Sequence, residues 1–347
     1  MEKQKSAKTI SYFAAANGYS GFRSYFDVVF DPRKFLKLYV LKGGPGTGKS
    51  SLMKSVYNFF KDKADTLELI YCSSDIRSLD GVIIRTDKGC VGILDGTAPH
   101  AVDPRYPGCI DEIINLGEYW NTSKLNSKRS RIEELVKKKT NAYKKAYTFL
   151  SIAGKCESEI NKEVIKAYKD TDALNHSYTS VDNCKLIDSF GKDGVLEMDS
   201  LSHFASKTIG IVGIWGCGAQ YLKTLTSMYS SDDIVVFPSV FSDSKIKAVY
   251  IKSEDTLYVS NPSESTKIDD TIDVSHLIDL KKLESEQGYL EDLHRIRENL
   301  LWHSQDEFKK ASTAHFELEE IYKSAMDFSM LNTVKENLYT KIGDFLF

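Results

Sequence analysis

Apolar residues in the first 120 positions fall in short runs separated by polar loops. Leu36 to Leu41 (LKLYVL) is one such run and predicts a buried strand. A glycine loop follows it, and Ser51 to Lys61 then predicts a helix. Glu68 to Cys72, Val82 to Arg85 and Cys90 to Leu94 predict three further strands, the last two joined by an Asp87-Lys88-Gly89 turn. Apolar residues at 110, 113, 114 and 116 predict a short helix within Cys109 to Tyr119. Strands alternating with helices predict an α/β fold with a mostly parallel sheet.

The pattern changes after residue 122. From Ser123 to Asp170 there is no proline and a single glycine, and Ile132, Leu135, Val136, Tyr143, Ala146 and Leu150 form a helical stripe. This predicts a pair of long helices. Residues 171–200 are polar and irregular and read as a linker. Beyond 200 the plan repeats. LSHFAS (201–206) resembles ISYFAA (10–15), IVGIWGCGAQYLK (211–223) overlays LKGGPGTGKSSLM (41–53), and IVVFPS, AVYIK and LYVSNP follow in the order of ELIYCSS, GVIIR and ILDGTAP. YLEDL (289–293) then mirrors RIEEL (131–135). The expected organisation is a nucleotide-binding domain over 1–122, a helical hairpin over 123–170, the linker over 171–200, a degenerate copy of the first domain over 201–280 and a second helical hairpin over 281–347.

Composition narrows the classes. Hydrophobic residues are 41% and charged residues 27%, ordinary for a soluble globular chain, and the net charge of -3 gives no global affinity for nucleic acid. No apolar run reaches the roughly 18 residues of a membrane span, and the charged N-terminus has no signal-peptide core. The six cysteines form no CxxC pair, which predicts reduced thiols, a cytoplasmic location and no structural zinc.

The strongest chemical signal is Gly43-Gly44-Pro45-Gly46-Thr47-Gly48-Lys49-Ser50, which fits G-x-x-x-x-G-K-[ST] between a strand and a helix. Glycines let successive N–H groups turn toward phosphate oxygens, and the helix N-terminus adds partial positive charge. Lys49 is expected to reach the β and γ phosphates of ATP, Ser50 to ligate Mg²⁺, and the loop through Ser51 to form the nucleotide cradle. The aligned second loop reads Gly213-Ile214-Trp215-Gly216-Cys217-Gly218-Ala219-Gln220. It keeps the glycines but has Ala219 for the lysine and Gln220 for the hydroxyl, so it is expected to be a decayed site.

Such a loop needs an acid at a neighbouring strand end for the Mg²⁺ shell. Asp95 directly ends Cys90 to Leu94 and is the preferred candidate; Asp75, three residues beyond Cys72, is the alternative. The second copy has Ser260 at the place of Asp95. His100, Arg105 and Arg77 are weaker candidates for contacts to phosphate or acceptor, with hydrogen bonds inside their own loops as the plainer reading. Lys124 to Lys145 carries nine Lys or Arg against Glu133 and Glu134; a solvated helix face is favoured there over a nucleic-acid track.

Together KGGPGTGKSSLMK, YCSSD with DGVII, ILDGTAPH and NLGEYWNTSKL resemble a family of duplicated P-loop proteins of Gram-positive bacteria, usually labelled ATPase or nucleotide kinase. The resemblance covers essentially the whole chain. It implies a nucleotide loop at Gly43 to Ser51, bordered by the CSSD and DGTAPH segments, and a P-loop in each half, from which this chain departs at Ala219 and Gln220. The expectation is thus a duplicated P-loop NTPase that hydrolyses ATP with Mg²⁺ at its first site. The alternatives are a small-molecule or nucleotide kinase, and an ATP-switched module whose helices engage a protein or nucleic acid.

Overall fold

The computed structural model describes residues 7–169, 185–198, 204–264 and 266–347. Most of the expected linker, residues 171–184 and 199–200, lies outside the described residues, as do Cys184 and the start of the LSHFAS match. The chain divides into two units that interleave in sequence: residues up to Ala15 with Ser24–Lys144 and Phe308–Phe347, and Ala16–Arg23 with Lys145–Glu307. This differs from the sequential domains expected from the sequence.

In the first unit six strands form one sheet, in the order Lys8–Tyr12, Thr66–Cys72, Asp75–Thr86, Gly89–Asp95, Lys37–Lys42, Asp111–Asn115. The sheet is mixed. Asp75–Thr86 runs antiparallel to both neighbours, and the other pairings are parallel. Leu38, Tyr39, Val40 and Leu41 are all fully buried, as expected of a central strand covered on both faces. The helix Lys49–Phe60 turns Leu52, Met53, Val56 and Phe60 onto this sheet. Leu338, Ile342 and Leu346 of the last helix, Ser329–Leu346, join the same core, which is why the C-terminal residues belong to the first unit.

Three local readings change. The strand expected at Val82 to Arg85 begins at Asp75, because Ser73 and Ser74 make a tight turn that lets Asp75 pair with Cys72. Cys109 to Tyr119 is not a helix. Asp111–Asn115 adds an edge strand beside Lys37–Lys42, and Leu116–Tyr119 is a 3-10 turn capped by Asn115. The apolar spacing there suits either element, and pairing with the central strand decides it. The expected helix pair is one helix, Arg129–Lys166. Its glycine is not a break: a Cβ on Gly154 would stand 2.6 Å from Cβ of Tyr19, so glycine is kept for close packing. In the first unit the partner of residues 129–144 is the end of the helix Gln287–Ser324, with Leu135 packed on Ala314 and Leu318. The helices therefore pair across the sequence rather than as two local hairpins.

The second unit has a five-stranded sheet in the order Ile234–Pro238, Ile246–Ile251, Thr256–Ser260, Lys207–Val212, Asp270–Asp273. Order and strand directions match the last five strands of the first sheet. The helix Gly218–Ser227 follows Lys207–Val212 as Lys49–Phe60 follows Lys37–Lys42. Within the expected linker, Asp188–Gly191 and Gly194–Glu197 form a β-hairpin. No helix among the described residues is long and apolar enough to cross a membrane.

Candidate functional site

The glycine loop leaves the C-terminal end of Lys37–Lys42, at the sheet edge where ligands bind in open α/β sheets. Gly46 and Gly48 take φ of 73° and 86°, a left-handed conformation that side chains resist. Space imposes glycine as well. A Cβ on Gly46 would lie 2.7 Å from the Glu319 carbonyl oxygen, and one on Gly48 2.8 Å from Leu331 Cδ1. Trp120 and Tyr322 stand over Gly44. The loop thus has a roof made by the ends of the two C-terminal helices. The Trp120 Nε1 donor beside it is buried with no hydrogen-bond partner among the described residues.

Lys49 opens the helix, and its Nζ donates to the carbonyl oxygens of Gly43 (2.7 Å) and Gly44 (2.8 Å). It also stands 3.6 Å from Asp95 Oδ2. Asp95 reaches this point because Gly89–Asp95 runs parallel to Lys37–Lys42, with Asp95 opposite Leu41. Its other oxygen, Oδ1, accepts from the N–H and hydroxyl of Thr97, which fixes the carboxylate. Thr47 closes the loop from within through a 2.9 Å bond to the Gly44 carbonyl. The Ser50 hydroxyl accepts from the Leu79 N–H at 2.9 Å. Pro45 is partly buried and Ser51 is exposed.

Asp80 follows Leu79 and was not singled out in the sequence. Pairing of Gly81 with Leu94 places Asp80 beside Asp95. Burial, and then the charge of Asp95, push its carboxyl up to about 8, against the pull of the Cys72 thiol and Lys49. Burial and Asp80 likewise raise the Cys72 thiol well above its ordinary value. His100 lies with Nε2 3.8 Å from Asp80 Oδ2 and its ring stacked on Phe26 at 4.3 Å. Burial lowers its pKa. Ligand atoms of Asp80, Asp95 and His100 all lie within 4.8 Å of one another, a donor set able to hold a divalent cation.

The remaining candidates have partners of their own. Asp75 is held in a fork by Arg77, with Nε to Oδ1 at 2.9 Å and Nη2 to Oδ2 at 3.1 Å, so each engages the other. Arg105 pairs with Asp27 at 2.9 Å. On the basic helix, Arg129, Arg131 and Lys138 pair with Glu133, Glu134 and Glu317, the pattern of a solvated face. Lys139 differs. It is partly buried, burial lowers its pKa, and it acts with Lys49 on His315, whose pKa is lowered first by its own burial. The position of Trp120 over the loop is a tertiary fact that its place in the NLGEYWNTSKL segment does not report.

In the second loop Trp215 and Gly216 take positive φ, Ala219 and Gln220 are buried, and Gln220 Nε2 donates to Asn161 Oδ1 at 3.0 Å. Comparison with family models, curated proteins and solved structures finds no match.

The raised Asp80 has a consequence for stability. Its folded pKa of about 8 exceeds the ordinary 3.8, so the native state holds a proton that the unfolded chain releases. In metal-free protein, stability should therefore fall as pH rises from about 4 to about 8 and level off beyond. Asp80→Asn should remove this loss, by about 2 kcal/mol or more at pH 8 relative to pH 5, in urea unfolding curves. An unchanged pH profile in the variant would contradict the assignment.

Proposed function

We propose that Gly43 to Ser51 is a P-loop that binds ATP with Mg²⁺, and that the first unit hydrolyses it. The observation that carries this reading is Lys49, whose amine is seated against the loop carbonyls and 3.6 Å from Asp95. That is the place from which a lysine can swing to β and γ phosphate oxygens. The residues fit ATP and Mg²⁺. The loop is a glycine cradle that any Cβ would crowd, the helix N-terminus favours anions, and the buried Trp120 N–H offers a donor. Ser50 and Asp95 would hold Mg²⁺, with Asp80 and His100 beside them. Bound Mg²⁺ would neutralise charge developing on the phosphates. Lys49 and the loop amides would stabilise the same charge, and the buried walls would keep the site's dielectric low.

The shared strand order and directions support reading the two units as copies, the second degenerate. By register Ser260 stands opposite Ile211 as Asp95 stands opposite Leu41, and Lys247 precedes Ala248 as Asp80 precedes Gly81. The helical roof favours a second reading, an ATP-switched module. Glu319, Lys323 and Leu331 press on Gly46 and Gly48, so phosphate arriving there would push on the two C-terminal helices. Purified protein should release phosphate from Mg-ATP with no added acceptor. Release only in the presence of an acceptor would point to a kinase, and tight binding without turnover to the switch.

A further inference from the structure

The second glycine loop lines an open pocket of about 210 Å³ in the second unit. In place of a lysine the loop presents Ala219, while Gln220 bonds to Asn161. Charged groups from other elements enter instead: Asp188 and Glu197 from the hairpin, and Lys245 and Lys247 at the start of Ile246–Ile251.

These groups are not equally satisfied. Lys247 Nζ lies 3.4 Å from Glu197 Oε2 and donates to the carbonyls of Ser260 (3.4 Å) and Asn261 (3.2 Å), so its three protons and its charge are matched. Lys245 donates to Glu157 Oε1 at 2.7 Å, but Glu157 is also paired with Arg297, and two cations share one carboxylate. Arg297 also pairs with Glu298 at 2.9 Å, so Lys245 shares Glu157 with a cation that has a second carboxylate of its own. Lys245 Nζ faces the loop, 3.4 Å from where a Cβ on Gly216 would stand. Asp188 is the opposite pole. It is 2% exposed, and its Oδ1 has no hydrogen-bond partner among the described residues. A buried carboxylate oxygen left unpaired is destabilising. Burial raises the Asp188 carboxyl to about 7 even though the charge of Lys247 pulls it down, so the group gains from a further cationic partner.

We propose that this pocket binds a small zwitterion of the α-amino acid class, its carboxylate at Lys245 and the Gly216 turn and its ammonium at Asp188. The volume equals that of about seven water molecules, which suits a molecule of serine or asparagine size. The site is separate from the proposed ATP loop and does not depend on it.

Calorimetric titration of the full chain with α-amino acids up to glutamine in size, and in separate arms with glycolate and inorganic phosphate, tests the proposal. At least one amino acid should bind at one per chain. Asp188→Asn, which keeps shape but not charge, should weaken it at least tenfold. Ala219→Met, which fills the pocket, should abolish it while thermal melting shows a folded protein. If Asp188→Asn does not fold, the Ala219→Met result decides. The proposal is overturned if no amino acid binds at millimolar concentration, if binding survives in Ala219→Met, or if phosphate or glycolate binds and the amino acids do not.

Discussion

Asp95→Asn should leave Mg-ATP bound while lowering turnover by about 100-fold or more, corresponding to several kcal/mol of lost transition-state stabilisation. The reason is geometric. Thr97 holds Oδ1, which leaves Oδ2 facing the Lys49 amine and the place where a metal would sit. Asn keeps the Thr97 N–H bond and the shape of the strand end, so the fold should persist. What it loses is the charge that orders a metal shell, and that charge counts most as the phosphoryl group develops its own. Asp75→Asn should do far less, because Asp75 is engaged with Arg77. Steady-state kinetics on both variants separates the two. Abolished turnover in Asp75→Asn with normal turnover in Asp95→Asn would exchange their roles.

Lys49→Ala should act on binding and chemistry together, with turnover falling by about 100- to 1000-fold, the scale expected for losing one charge-stabilising donor. The lysine balances a crowded negative corner. Its amine lies by Asp95 and two loop carbonyls, and its charge also holds down the Asp80 carboxyl. Removing it should therefore lift Asp80 further and loosen the loop, so the melting temperature is measured alongside the kinetics. Loss of turnover with unchanged melting assigns the effect to chemistry. Turnover retained within about threefold would remove Lys49 from the mechanism.

The parts of this arrangement that were legible beforehand are those written in consecutive residues. The glycine spacing before Lys49-Ser50 and the apolar run ending at Asp95 place both side chains by local rules, a left-handed turn and a strand end. Asp80 carries no such signal, because only the antiparallel pairing of Gly81 with Leu94 brings it beside Asp95. Leu79, which binds Ser50, gave no signal for the same reason. The roof over the loop comes from Glu319, Tyr322 and Leu331, more than 270 positions further along the chain, and no periodicity reports such a contact. Periodicity also failed at Asp111–Asn115, where apolar residues at 113 and 114 suit a helix turn but the open edge of the central strand claims the backbone. In the long helices the stripe of apolar residues was correct about helix and silent about partner. Leu135 meets Ala314 and Leu318, which no local hairpin could supply.

The central claim is that one functional P-loop, in the first unit, holds Mg-ATP. Calorimetric titration of Mg-ATP into the purified chain tests it most directly. The expected result is one site per chain, lost in Lys49→Ala and unchanged by substitutions in the 213–220 loop. Two sites per chain, or binding that survives Lys49→Ala and disappears when the 213–220 loop is altered, would contradict it.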